Sequence, residues 1–164
     1  MKIDRVVVGP LETNCYIISI DNKCLVIDPG DEYERIKSAI GNKEIIAVII
    51  THYHFDHIGA LNHFDENLIL DKSNLEEKEY KIDNFNFEII YTPGHKEDLI
   101  CIYFKEEKIM FTGDFIFKGA IGRTDLEGGN PIEMINSLNK IKKYDKDIII
   151  YPGHGESTTL LNEI

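Results

Sequence analysis

Between Thr51 and His57 the chain reads Thr-His-Tyr-His-Phe-Asp-His, three imidazoles and a carboxylate within a few residues of one another. Imidazole nitrogens and carboxylate oxygens are ligands for first-row divalent ions, and a cluster this dense reads as a metal site. The segment follows the apolar run Ile45–Ile50. If that run is a buried strand and the backbone stays extended beyond it, alternation sends His52, His54 and Asp56 to one side and turns His57 elsewhere. One short loop can then serve two neighbouring ions, His52 and His54 on one, Asp56 and His57 on the other.

The rest of the chain supplies what such a cluster lacks. His95 lies in Thr-Pro-Gly-His, Asp114 in Thr-Gly-Asp and His154 in Tyr-Pro-Gly-His-Gly, each just past an apolar β-type run. Strand ends followed by Pro or Gly let side chains project beyond a sheet edge, where ligands bind. Any one of these histidines taken alone is better read as a surface or core residue. Five of the six at such positions favour a shared site over scatter.

On these residues the chain resembles the metallo-β-lactamase-fold hydrolases, close to the short bacterial hydroxyacylglutathione hydrolase (glyoxalase II)-like group. The matching pattern is His-x-His-x-Asp-His at 52–57, then His95, Asp114 and His154. It extends from Asn14-Cys15-Tyr16 and Ile27-Asp28-Pro29-Gly30 through Ile121-Gly122-Arg123-Thr124-Asp125 to Pro152-Gly153-His154-Gly155. The resemblance implies an α/β fold, the four-layer αββα sandwich, over residues 1–164 as one domain. It implies that His52, His54 and His95 hold a first metal, that Asp56, His57 and His154 hold a second, and that Asp114 bridges them. The chain departs from the pattern after His95. There the family often reads His-Thr-x-Gly-Ser, and this sequence has His95-Lys96-Glu97-Asp98-Leu99, without hydroxyls at 96 and 99. Larger glyoxalase II enzymes also carry a C-terminal helical domain that supplies basic residues to glutathione. No such domain is expected here, which puts glutathione itself in doubt.

The ligand set suits two divalent transition-metal ions, zinc first, with iron or manganese also compatible. Two ions roughly 3.5–4 Å apart can share a hydroxide made at neutral pH, and Asp56 and Asp114 would fix its position. No general acid is evident for the leaving group. An amide nitrogen leaves poorly without a proton, whereas a thiol with a reference pKa of about 8.5 leaves readily as thiolate. A small thioester is therefore the expected substrate. Tyr53 and Tyr91 are read as packing residues rather than acids. Arg123, with Lys118 next, is the candidate for contacting a substrate anion, against the alternative that Arg123 pairs locally with Asp125. Asp28 is expected in a turn beneath the site, as a partner of a ligand histidine. His63 has no motif partner and is expected at the surface.

Composition narrows the alternatives. Lys and Arg number 18 against 29 Asp and Glu, a formal charge of −11, which disfavours nucleic acid as a partner. The N-terminus shows no signal peptide and no run approaches the ~20 apolar residues of a membrane span, so a cytoplasmic protein away from membranes is expected. Cys15, Cys24 and Cys101 lie in strand-like runs and are expected as buried, reduced thiols. Other readings keep the fold but cleave a lactone or ester, or use one iron to oxidise a persulfide. A non-catalytic metal-binding module is a reading from a different class.

The elements that must position the site are short strands and a few helices. Asn14–Ile20 and Lys23–Ile27 read as a hairpin about Asp21-Asn22, with helices over Glu32–Ile40 and near Ile58–Phe64. Strands are expected at Leu68–Leu70, Phe85–Tyr91, Leu99–Phe104, Lys108–Phe111 and Ile148–Tyr151. The clearest helix spans Pro131–Lys143, capped by Asn130, with Pro131 in its first turn. Its stripe Ile132, Ile135, Leu138 and Ile141 reads as the core-facing side.

Overall fold

The first half of the chain builds one sheet and the second half another, in a computed structural model that describes residues 1–164. Strands β1 (Lys2–Val8), β2 (Thr13–Ile20) and β3 (Lys23–Ile27) form an antiparallel meander. Helix α1 (Tyr33–Ile40) crosses over, and β4 (Glu44–Ile49) returns parallel to β3. After the short helix α2 (Phe55–Ile58), β5 (Ile69–Leu70) closes this sheet parallel to β4. The second sheet starts with β6 (Glu79–Ile82), β7 (Phe85–Tyr91), β8 (Ile100–Phe104) and β9 (Ile109–Gly113), all antiparallel. A small hairpin, β10 (Ile116–Phe117) with β11 (Ala120–Ile121), and helix α3 (Pro131–Ile141) follow. Then β12 (Ile149–Pro152) pairs parallel to β9, and β13 (Thr158–Thr159) leads into α4 (Leu160–Glu163).

Both faces of the inner strands are buried, which is why they read as unbroken apolar runs rather than alternating ones. Tyr16, Ile18, Leu25, Ile27 and Ile49 meet Phe85, Ile89, Ile102, Phe104 and Phe111 between the sheets. The opposite faces carry Ile17, Cys24, Val26 and Val48 against Ile36 and Ile40 of α1, and Cys101, Met110 and Ile150 against Met134 and Ile141 of α3. The order of layers is helix, sheet, sheet, helix, the αββα sandwich. All three cysteines are buried and free, and burial raises their thiol pKa values. No helix is long and apolar enough to cross a membrane.

Two local expectations fail. The helix after the histidine cluster begins at Phe55, not Ile58, and the rest of the expected span holds only a three-residue 3-10 turn, Leu61–His63. Helix α3 keeps its cap, with Asn130 Oδ1 accepting from the backbone N–H of Ile132 and Glu133, but ends at Ile141, short of Lys143. It also keeps only the C-terminal half of the expected stripe, Leu138 and Ile141, against the core. Met134, Ser137 and Ile141 face inward, while Ile132 and Ile135 are 71% and 58% exposed. The docking is set by the loop beneath it. A Cβ on Gly94 would lie 2.5 Å from Met134 Cα, and Ser137 Oγ donates to the Pro93 carbonyl at 2.6 Å. Close backbone approach at a glycine, and not the largest aliphatic residues, chooses the buried face, and it presses α3 onto the segment that carries His95.

Candidate metal centre

Strand direction gathers the site. β3 and β4 run parallel, and β7, β9 and β12 share one direction, so Asp28, the 52–57 loop, His95, Asp114 and His154 all follow the C-terminal ends of strands. Ligands bind at such ends because the chain leaves the sheet there with free polar groups. The chain bends at Thr51, is extended at His54 and then coils into α2. His52 and His54 enter one cluster with Tyr53 exposed between them, as alternation expects, but Asp56 joins the other cluster, and one turn of helix, not strand pleating, swings His57 inward.

Two clusters result. His52, His54, His95 and Asp114 bring their ligand atoms within 4.8 Å of one another, as do Asp56, His57, His154 and Asp114. Asp114 belongs to both. Its Oδ1 lies 3.2 Å from His57 Nε2, and its Oδ2 lies 3.4 Å from His95 Nε2, 3.7 Å from His52 Nε2 and 3.4 Å from His154 Nε2.

The opposite ring nitrogens are occupied by protein. His57 Nδ1 meets Asp28 Oδ2 at 2.7 Å, His95 Nδ1 meets the Arg123 carbonyl at 2.8 Å, and His154 Nδ1 meets the Leu11 carbonyl at 3.0 Å. His52 Nδ1 sits 3.0 Å from Thr51 Oγ1, whose hydroxyl donates to Asp28. These contacts fix each ring so that Nε2 points into the site. His54 is the exception, turning Nδ1 inward to 3.0 Å from His95 Nε2. Thr13 Oγ1 donates to Asp56 Oδ2 at 2.9 Å. Asn14 Nδ2 donates to the carbonyls of Pro152 and Gly155, tying the His154 loop to the first sheet.

The residues fit metal ions. His52 Nε2, His57 Nε2 and Asp114 Oδ1 are fully buried and have no hydrogen-bond partner. A buried polar atom left unpaired costs about 1–3 kcal/mol, so three converging on one spot call for a ligand that satisfies them. Gly153 keeps that spot clear, since a Cβ there would stand 2.4 Å from Asp114 Oδ1 and 2.8 Å from His57 Cε1. Electrostatics agree. Burial would raise the Asp114 carboxyl, but the imidazoles of His154, His52, His57 and His95 gathered around it outweigh burial and hold Asp114 far below the ordinary carboxylate range. Burial opposes ionisation of Asp56 too, yet contacts from His154, His57 and Thr13 bring it down to about 2. Burial and the neighbouring His52 and His95 push His54 down to about 4. The site keeps its carboxylates charged at neutral pH, as ligands must be.

A sequence model of the metallo-β-lactamase superfamily matches residues 8–73 and 70–154. The chain belongs to the metallo-β-lactamase superfamily. It is 33% identical to the hydroxyacylglutathione hydrolase GloC of Haemophilus influenzae, over 99% of this chain and 95% of that protein. Among solved structures of the superfamily it superposes on the BLEG-1 B3 metallo-β-lactamase with a TM-score of 0.90 and 27% identity, over 98% of this chain and 95% of that one. TTHA1623 in a di-iron-bound form gives 0.87 and 27%, over 98% and 96%. The GloC alignment spreads over 201 positions against 164 residues here, leaving at least 37 positions without a residue of this chain. The two stretches of the superfamily match meet within residues 70–73, in the turn after β5.

Around the two clusters the remaining candidates are committed to partners. Arg123 makes a two-pronged pair with Asp125, Nε to Oδ1 at 2.7 Å and a terminal nitrogen to Oδ2 at 2.9 Å. Lys118 pairs with Glu156 at 3.2 Å. The Tyr53 phenol donates to Asp71 and the Tyr91 phenol to the Leu75 carbonyl. His63 is exposed and stacks on Tyr33. Sequence reading passed over Thr13, Thr51 and the carbonyls of Leu11 and Arg123. Only Thr51, adjacent to the first histidine, carried any signal, because backbone acceptors leave no mark in residue type.

Proposed function

We propose that the protein is a hydrolase of small thioesters that uses two divalent ions, one held by His52, His54 and His95, the other by Asp56, His57 and His154, with Asp114 on both. Zinc is the first choice for the ions, and the di-iron form of TTHA1623 keeps iron in view. When bound, such ions polarise a carbonyl and lower the pKa of water to about 7. The chain's own part is to aim the imidazoles from behind, through Asp28, Thr51 and the Leu11 and Arg123 carbonyls, and to keep Asp56 and Asp114 ionised. The observation that carries the reading is Asp114 shared by two complete clusters.

The bond cleaved follows from what surrounds the clusters. Each proton-bearing side chain at the rim is engaged: Tyr53 with Asp71, Lys96 with Asp98 and Arg123 with Asp125. None is poised to protonate a departing amine, which favours a leaving group that departs as an anion. A groove of about 190 Å³, lined by Val8, Pro10, Leu11 and Phe55, abuts Asp56 and suits a small apolar acyl group. A cleft of about 270 Å³ on β6–β8 and wider grooves of about 470 and 400 Å³ beside Arg35 touch none of the site residues. The name of the GloC relative supports thioester chemistry, and free buried thiols with an acidic surface support a cytoplasmic setting without nucleic-acid or membrane partners.

The test is metal analysis with a substrate panel. Two ions per chain, loss of hydrolysis on chelation and its return with metal are expected, with thioesters turned over faster than matching amides or lactams. Equal amide turnover would move the function toward the lactamases represented by BLEG-1, and oxygen uptake with a persulfide would move it to sulfur oxidation.

A further inference from the structure

Tyr53 stands between His52 and His54 and is gripped at both ends by carboxylates from outside the metal clusters. Its backbone N–H donates to Asp98 Oδ2 at 2.9 Å, and its phenol donates to Asp71 Oδ2 at 2.5 Å. Neither carboxylate is loose. Lys96 Nζ holds Asp98 Oδ1 at 3.2 Å, while Asp71 Oδ1 accepts from the Ser73 N–H at 2.8 Å, and Asn74 Oδ1 accepts from the Asp71 N–H at 2.8 Å. Lys72 Nζ then reaches the Glu97 carbonyl at 2.7 Å, lacing the 71–74 turn to the 96–98 turn. The first of these turns directly follows β5, which pairs parallel to β4, and so lies beside the segment that leaves β4 and carries Tyr53.

In extended backbone the side chain of residue i points away from those of i−1 and i+1. Tyr53 is exposed while His52 and His54 on either side of it enter one cluster, so holding Tyr53 outward by its phenol, and its peptide plane by its N–H, sets the rotation of the segment that turns His52 and His54 inward. His52 has Thr51 behind its Nδ1, whereas the ring of His54 has only His95 and no protein group behind it. On the side away from the cluster, its aim depends on the backbone.

We propose that Asp98 and Asp71 are positioning residues that act through Tyr53 to set His52 and His54 as a pair for one ion. The inference rests on the two-cluster reading above. It is tested by competing each bound equivalent of metal against a chelator in wild type, Asp98→Ala, Asp98→Asn and Tyr53→Phe, with the absorption spectrum of the cobalt-substituted protein as a second readout. Asp98→Ala should weaken one equivalent by about 10–100-fold and alter the cobalt spectrum, leaving the other equivalent within about twofold. Asp98→Asn, which keeps an acceptor for the Tyr53 N–H, should recover most of the affinity. Tyr53→Phe removes only the contact to Asp71 and should shift the same equivalent less, and it decides the matter if Asp98→Ala does not fold. Wild-type affinities and spectra in both Asp98→Ala and Tyr53→Phe overturn the proposal, as does a parallel loss of both equivalents with melting temperature. A wild type that takes one ion overturns the two-ion reading alone, because the clamp is still judged by whether that ion's affinity moves.

Discussion

Asp28 and His57 form a fully buried pair, carboxylate Oδ2 to imidazole Nδ1 at 2.7 Å, with the same oxygen accepting from the Thr51 hydroxyl at 2.6 Å. The other Asp28 oxygen accepts from the Thr51 N–H at 2.8 Å. One carboxylate thus fixes both the imidazole that enters the second cluster and the backbone from which the first cluster departs. Replacing it by Asn keeps the shape but weakens the hold on His57 and can present an N–H where an acceptor is needed. Asp28→Asn should lower metal affinity by about 10–100-fold, the range typical of such supporting contacts. Chelator competition measures this, and an unchanged affinity would show that His57 is aimed by packing alone.

Asp114 and His154 should differ in kind. Asp114 reaches into both clusters and His154 into one, so Asp114→Ala should cost both ions and His154→Ala mainly one. Asp114 is also the more deeply buried, with Oδ1 unpaired in the protein, so no neighbouring side chain stands ready to replace it. Metal content after gel filtration separates the outcomes, and retention of one full ion in both variants would remove Asp114 from the shared position.

Much of this site was legible because residue type and strand-end punctuation carry it. The imidazoles and carboxylates at 52–57, 95, 114 and 154 all converge, and Asp28 lies behind His57, beneath the site as its turn suggested. Less was legible wherever backbone rather than side chain did the work. The carbonyls behind His95 and His154 come from Arg123 and Leu11, whose side chains say nothing of that role. The same reason explains α3, where Leu138 and Ile141 of the expected stripe pack inward but Ile132 and Ile135 point outward, because the Gly94 and Pro93 backbone dictates the docking. The short strands β6, β10, β11 and β13 leave too few residues to show a period.

Arg123→Ala should change little, and equally for anionic and neutral substrates. The side chains of Arg123 and Asp125 are 63% and 66% exposed, and an exposed pair of this sort contributes about 0–1 kcal/mol. What the position gives the site is its carbonyl, which alanine retains. Steady-state kinetics on a matched pair of substrates checks this. A KM rise confined to the anionic substrate would mean that the guanidinium leaves Asp125 to bind it.

The metal-free protein should lose stability as pH rises where the loaded protein does not. Burial disfavours charge on His154 and His57, but their carboxylate neighbours outweigh it, raising His154 to about 10 and His57 well above the ordinary 6.5. A group whose pKa is raised by folding contributes stability fully present below the unfolded value and lost as pH rises through the folded one. For these two imidazoles the loss therefore begins near 6.5 and continues upward. The opposite shifts, at His52 and His54, act below 6.5, and the buried thiols enter only above about 9, so the window from 6.5 to 9 isolates the pair. With ions bound, ligand imidazoles are neutral when folded and, above 6.5, largely neutral when unfolded, so proton binding no longer distinguishes the two states. Melting temperatures with excess chelator should fall across this window, while those with excess metal stay level. Curves that fall in parallel would mean that bound ions leave His57 and His154 protonated, and that the second cluster is not where the metal sits.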